Sequence, residues 1–162
     1  MSEREGDRAS GREPDDRGPG ETLFAFVRHW ARVSWASGPE ASARGRMVLV
    51  TEAVHALEAR GIDPTVNAVA AEIGVDQSGA SRMVKTAVDA GYLVMRPAES
   101  DRRRRQASIT RAGRVLLDQA HDWQERVFDR LADGWSEGRR QEFRLAMSEL
   151  MQRSDEVDVR RA

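Results

Sequence analysis

The stretch Thr65–Arg114, TVNAVAAEIGVDQSGASRMVKTAVDAGYLVMRPAESDRRRRQASITRAGR, decides the fold. A short apolar-periodic segment breaks at a glycine, a second helix with a polar outer face follows, and two strand-like runs flank an arginine-rich loop. Thr65, after Pro64, is a good N-cap, and Val66, Val69, Ala70 and Ile73 recur at spacings that make one helical stripe. Gly74 ends that helix. Asp76 can cap the second, in which Ala80, Met83, Val84 and Ala87 share one face while Gln77, Ser78, Ser81, Arg82 and Lys85 share the other. Gly91 stands where a C′ glycine closes a helix. Helices joined by so short a turn cross steeply, which leaves the second free to lie in a major groove with its N-terminal residues toward the bases.

Beyond Gly91, Tyr92–Arg96 and Gln106–Thr110 are short runs with β-branched or aromatic residues, and Leu93/Met95 and Ala107/Ile109 alternate. They predict a hairpin. Its loop holds Pro97, Ser100, Asp101 and four successive arginines, Arg102, Arg103, Arg104 and Arg105, so a cationic tip is expected beside the second helix.

The helix pair, the turn Ile73-Gly74-Val75 and the run Gly91-Tyr92-Leu93 together resemble the MarR-type bacterial transcriptional regulators. The sharpest part is Asp101-Arg102-Arg103 followed by Ser108-Ile109-Thr110-Arg111-Ala112-Gly113, which is similar to that family's Asp-x-Arg wing signature and to the Leu-Thr-x-x-Gly that opens its next helix. Ile109 stands where the family usually has leucine, and Gly79 where a better helix former is usual. The resemblance implies a mainly α fold with a small antiparallel hairpin: a winged helix-turn-helix flanked by N- and C-terminal dimerisation helices. It implies further that Asp101 pairs with Arg103 and braces the wing, and that Arg103 or Arg104 reaches a groove. It also implies that small aromatic or phenolic effectors bind between the dimer helices and the winged unit.

A chain of 162 residues suits one domain with a proper core. With no cysteine there can be no disulfide, zinc-thiolate site or thiol-based peroxide sensing. No run approaches the ~20 apolar residues needed to cross a bilayer, and the polar N-terminus lacks the core of a signal peptide, so a soluble cytoplasmic protein without a membrane partner is expected. The net charge of −1 argues against a polyanionic partner until its distribution is considered. Residues 77–114 carry eight Arg and Lys85 against Asp89, Glu99 and Asp101, whereas 1–20, 21–76 and 115–162 are each mildly acidic. Such segregation is the footprint of one surface that meets a polyanion.

Residues 1–20 contain no Val, Ile, Leu or aromatic residue and cannot bury enough surface to offset chain entropy, which predicts a disordered tail. A single domain is expected over 21–153, with the winged core at 45–110, dimerisation helices at 21–37 and 111–153, and a frayed end at 154–162. In the first helix the stripe is Leu23, Phe26, Val27, Trp30 and Val33; the second, Arg46–Ala59, carries Met47, Val50, Val54 and Leu57. Arg111 to about Ala132 gives Leu116, Ala120, Trp123, Val127 and Leu131, and Arg139–Arg153 gives Phe143, Met147, Leu150 and Met151. Long helices with one apolar face need a cover, and the simplest closed solution is a two-fold homodimer.

On the second helix of the pair, Arg can pair with guanine O6/N7 and Gln with adenine N6/N7, while Lys85 is better placed for a phosphate. Arginines on a fixed hairpin tip can enter a narrow minor groove and hold phosphates. Catalysis is not expected: His29, His55 and His121 lie on three different helices, and no nucleophile-elbow, dinucleotide, phosphate-loop or zinc-protease motif occurs. No metal or cofactor is expected either, since Glu52/His55/Glu58 and His121/Glu125 are ordinary helix decoration. His29, Trp30 and Trp35 are candidate effector-pocket walls, against the plainer possibility that Trp30 is dimer core. The expected function is a sequence-specific regulator of transcription that binds double-stranded DNA as a dimeric repressor released by a small aromatic effector. The alternatives are a winged protein-interaction (anti-repressor) module and a sequence-blind DNA-binding protein.

Overall fold

The computed structural model describes residues 17–36, 39–98, 103–154 and 157. In chain order these form α1 (Pro19–Ala36), α2 (Pro39–Ala59), α3 (Val66–Ile73), α4 (Gln77–Asp89), β1 (Leu93–Pro97), β2 (Arg105–Ile109), α5 (Arg111–Leu131) and α6 (Glu137–Ser154). The expected tail lies outside the described residues up to Asp16, and α1 already begins at Pro19. Most of the expected frayed end, beyond Ser154, lies outside them too.

Helix α2 is longer than its apolar period predicts and starts at Pro39 rather than Arg46. Proline is well suited to a first helical position and Glu40 favours the positive end of the helix dipole, so the helix starts there on terminal chemistry. Its first turns carry no core residue before Met47, which hid them from periodicity.

The core surrounds α2. Val50, Ala53, Val54 and Leu57 are buried against Val69 of α3, Val84 and Ala87 of α4, Leu93, Ala107 and Ile109 of the hairpin, and Leu117 of α5. The one buried hydroxyl on that helix is satisfied locally, because Thr51 Oγ1 donates to the Met47 carbonyl at 2.7 Å. The strands pair antiparallel with Leu93 opposite Ile109 and Met95 opposite Ala107, so the alternating apolar residues share the face that meets the core. The turn between α3 and α4 depends on Gly74, whose φ of 69° is a left-handed conformation that costs other residues strain.

The terminal helices are covered on one side only. Phe26 of α1, Trp123 of α5 and Met151 of α6 keep 53%, 54% and 66% of their surface, and Val27, Leu131, Phe143 and Leu150 are also exposed. The α5–α6 turn is fastened by Phe128, Trp135 and Phe143, whose ring centroids lie 5.6–6.3 Å apart. Arg140 clamps it by reaching Asp129 Oδ1 at 2.6 Å and the carbonyl of Ala132 at 3.0 Å.

Candidate nucleic-acid interface

Helix α4 presents its polar face because its apolar face is consumed by the core. Ala80, Val84 and Ala87 are buried; Gln77, Ser78, Ser81, Arg82 and Lys85 are all exposed. The N-terminus is held by Asp76, in extended conformation, whose Oδ1 accepts from the backbone N–H of Gly79 at 2.8 Å and from the Ser78 hydroxyl. The Ser78 hydroxyl and the Gly79 N–H, with Arg82 adding less, hold the Asp76 carboxyl below the ordinary value of 3.8 against the opposing effect of desolvation. Lys85 Nζ lies 2.7 Å from Asp89 Oδ2, one turn on. Both ends are exposed, and such a pair contributes only about 0.3–0.5 kcal/mol, so Lys85 can exchange its partner for a phosphate at little cost.

The hairpin packs on α4 through the same core, and its exposed residues point outward. Arg103, Arg104 and Arg105 are exposed; Asp101 and Arg102, with the expected Asp101–Arg103 brace, lie outside the described residues. The backbone N–H of Ala98 donates to the Arg104 carbonyl at 2.9 Å and carries the pairing past Pro97 and Arg105. One Arg105 amino group reaches across the hairpin to the Met95 carbonyl at 3.0 Å, which ties that side chain to β1 and leaves the rest of its donor fork available. Arg96, exposed on β1 opposite Gln106, adds a cation that sequence reasoning did not single out. Its signal was there: it alternates with Met95, so a core-facing Met95 turns Arg96 outward.

Behind the hairpin, Thr110 joins the wing to α5. Its hydroxyl donates to the Gly91 carbonyl at 2.6 Å and accepts from the Gly113 N–H at 3.1 Å, and its own N–H donates to the Tyr92 carbonyl at 3.0 Å. Gly113 is then forced, because a Cβ there would sit 2.3 Å from the Tyr92 oxygen. The spacing Thr110-x-x-Gly113 is thus a cap on α5 and a close approach to Tyr92, just past the turn that ends α4.

Of the residues considered for an effector, His29 is exposed, Trp30 is half-buried with its ring 6.0 Å from that of His29, and the Trp35 side chain lies outside the described residues. A cleft of about 530 Å³ instead opens between α2, Tyr92 and α5, lined by Arg44, Tyr92, Arg111, Val115, Leu116 and Gln119. Arg44 donates to Gln119 Oε1 across it at 2.8 Å. The acid-histidine spacings are spent elsewhere: Glu52 meets His121 across α2 and α5, and Glu58 accepts from Ser108 at 3.2 Å. Among the described residues no group of three or more His, Asp or Glu could hold a metal, and no helix is long and apolar enough to cross a membrane.

This arrangement is a winged helix-turn-helix between terminal helices. Residues 51–104, which run from α2 through the hairpin loop, match the model of the MarR family. A MarR family transcriptional regulator from Silicibacter pomeroyi superposes with a TM-score of 0.61 at 20% identity, over 90% of this chain and 95% of that one. Bordetella bronchiseptica BpsR, described as regulated in DNA binding by 6-hydroxynicotinic acid, gives 0.59 at 16%, over 91% and 100%. CouR from Rhodococcus jostii, solved bound to p-coumaroyl-CoA, gives 0.54 at 21%, over 80% and 91%. No curated protein sequence matches significantly. The fold is that of the MarR-type winged helix-turn-helix regulators, as the helix pair and the wing signature implied.

Proposed function

We propose that the chain is a sequence-specific DNA-binding regulator of transcription that acts as a homodimeric repressor. The observation that carries this is the joint exposure of Gln77, Ser78, Ser81, Arg82 and Lys85 on α4 beside a hairpin whose Arg96, Arg103, Arg104 and Arg105 are also exposed. Base edges are read by Gln77, Ser78, Ser81 and Arg82, and phosphates are held by Lys85. The wing arginines, Arg102 included, serve the minor groove and its phosphates, with Asp101 as their brace. Dimerisation through α1, α5 and α6 would cover Phe26, Trp123 and Met151 and set two half-sites one helical turn apart, about 34–36 Å.

Release by a small molecule is the finer part of the proposal. Two structural neighbours are described with aromatic ligands, 6-hydroxynicotinic acid and p-coumaroyl-CoA. The cleft lined by Tyr92, Val115 and Leu116 and flanked by Arg44 and Arg111 suits an aromatic body with an anionic group. The test is a polarisation titration of the purified chain against fragments of its own genome and against random duplex, at two salt concentrations. A regulator binds one fragment set preferentially and loses affinity steeply with salt. Equal affinity for every duplex would mean sequence-blind binding, and no binding would leave a protein-interaction role.

A further inference from the structure

We infer that Asp76 is a specificity-determining residue of the recognition helix, and that its carboxylate accepts a hydrogen bond from a cytosine amino group in each half-site. The inference rests on the DNA-binding proposal above. Asp76 is the N-cap of α4, the end that enters the groove first, and it is exposed although it caps a helix. A carboxylate offers about four acceptor positions. The chain supplies two hydrogen bonds to it, from the Ser78 hydroxyl and the Gly79 N–H, and both reach Oδ1. Acceptor capacity therefore remains on a charged group at the protein surface.

The residue three positions on leaves that group uncovered. A Cβ at residue 79 would lie 3.7 Å from each of Oδ1 and Oδ2, so any side chain there would pack over the carboxylate, and Gly79 has none. The absence of a better helix former at that position has no steric cause, because every neighbour of the added atom is at ordinary van der Waals distance.

The chemistry of the groove then selects the partner. A carboxylate near phosphates is repelled unless it meets a donor, and the major groove offers only the amino groups of cytosine and adenine. Adenine sets its N7 acceptor beside N6, facing the same charge, whereas cytosine carries no acceptor on its own major-groove edge. Cytosine is the better partner, and guanine or thymine at that strand position would oppose the charge with acceptors alone.

The experiment is selection of bound sequences from a randomised duplex pool by the full chain and by Asp76→Asn. Asparagine caps a helix as well as aspartate, so the variant keeps α4, which an unchanged thermal melt would verify at neutral pH. Expected is loss of a preference for cytosine at one position of each half-site, a change in relative affinity of roughly 5- to 20-fold there, with other positions preserved. If Asp76→Asn selects the same operator and merely binds all sequences more tightly, Asp76 is a cap that repels DNA and the inference is overturned. If the unmodified chain selects no sequence at all, the DNA-reading proposal fails with it, and the two failures are thereby distinguished.

Discussion

A methyl group at residue 113 would meet the Tyr92 carbonyl at 2.3 Å and the Ile109 side chain at 2.9 Å, and the first obstacle is backbone. Neither can move without disturbing the bonds Thr110 makes to Gly91 and Tyr92. Gly113→Ala should therefore destabilise the chain by about 1–3 kcal/mol in a denaturant titration, whereas Gly79→Ala, with only ordinary contacts, should stabilise it by about 0.5–1 kcal/mol. At Asp76 the folded carboxyl titrates below 3.8, so the stability it contributes is fully present above that value and is lost as pH falls through the lower, folded value. The stability difference between the unmodified chain and Asp76→Asn should be constant from neutral pH to about 5 and shift only in the acid limb below about 4. If base readout resides in α4, Arg82→Ala should cost about 1–3 kcal/mol on the operator and much less on random duplex.

Sequence periodicity made the inner elements legible and the outer ones only in part. Helices α3 and α4 and the hairpin emerged with both N-caps, Thr65 and Asp76, and with their core faces, because each element buries one face against α2 and the apolar spacing records that burial. The first turns of α2 escaped because they carry no residue of the apolar core, and the bounds of each strand moved by one residue, where pairing rather than patterning sets the boundary. The site was legible to the same extent. The polar face of α4 is the complement of a clear apolar face, while Arg96, the Arg105 hydrogen bond and the cleft of Arg44 and Tyr92 depend on pairing and packing between distant residues. The wing, as an element, makes its own prediction. Arg103→Ala or Arg104→Ala should weaken operator and random duplex alike and reduce the slope of log affinity against log salt by about one unit for each phosphate left without its arginine.

The molecule as a whole pairs a winged core with terminal helices whose apolar faces have no cover among the described residues. Phe26, Trp123 and Met151 each keep more than half their surface exposed, which is the ground for the proposed two-fold dimer. Replacing Trp123 by glutamate should shift the chain toward monomer in light scattering, leave the fold of α2–α4 intact by circular dichroism, and lower operator affinity through loss of the second half-site. The near-neutral total charge hides a division of labour, with a net positive charge over 77–114 and a net negative charge over the remainder. In the proposed DNA-binding role, long-range attraction depends on which face approaches, and orientation should be fixed before contact. The most direct test is affinity for genomic operator fragments and for random duplex, measured across a salt series. The account predicts a preference for the operator together with a log–log slope of several units, about 0.9 for each phosphate neutralised. Absence of binding to any duplex in dilute buffer would contradict it.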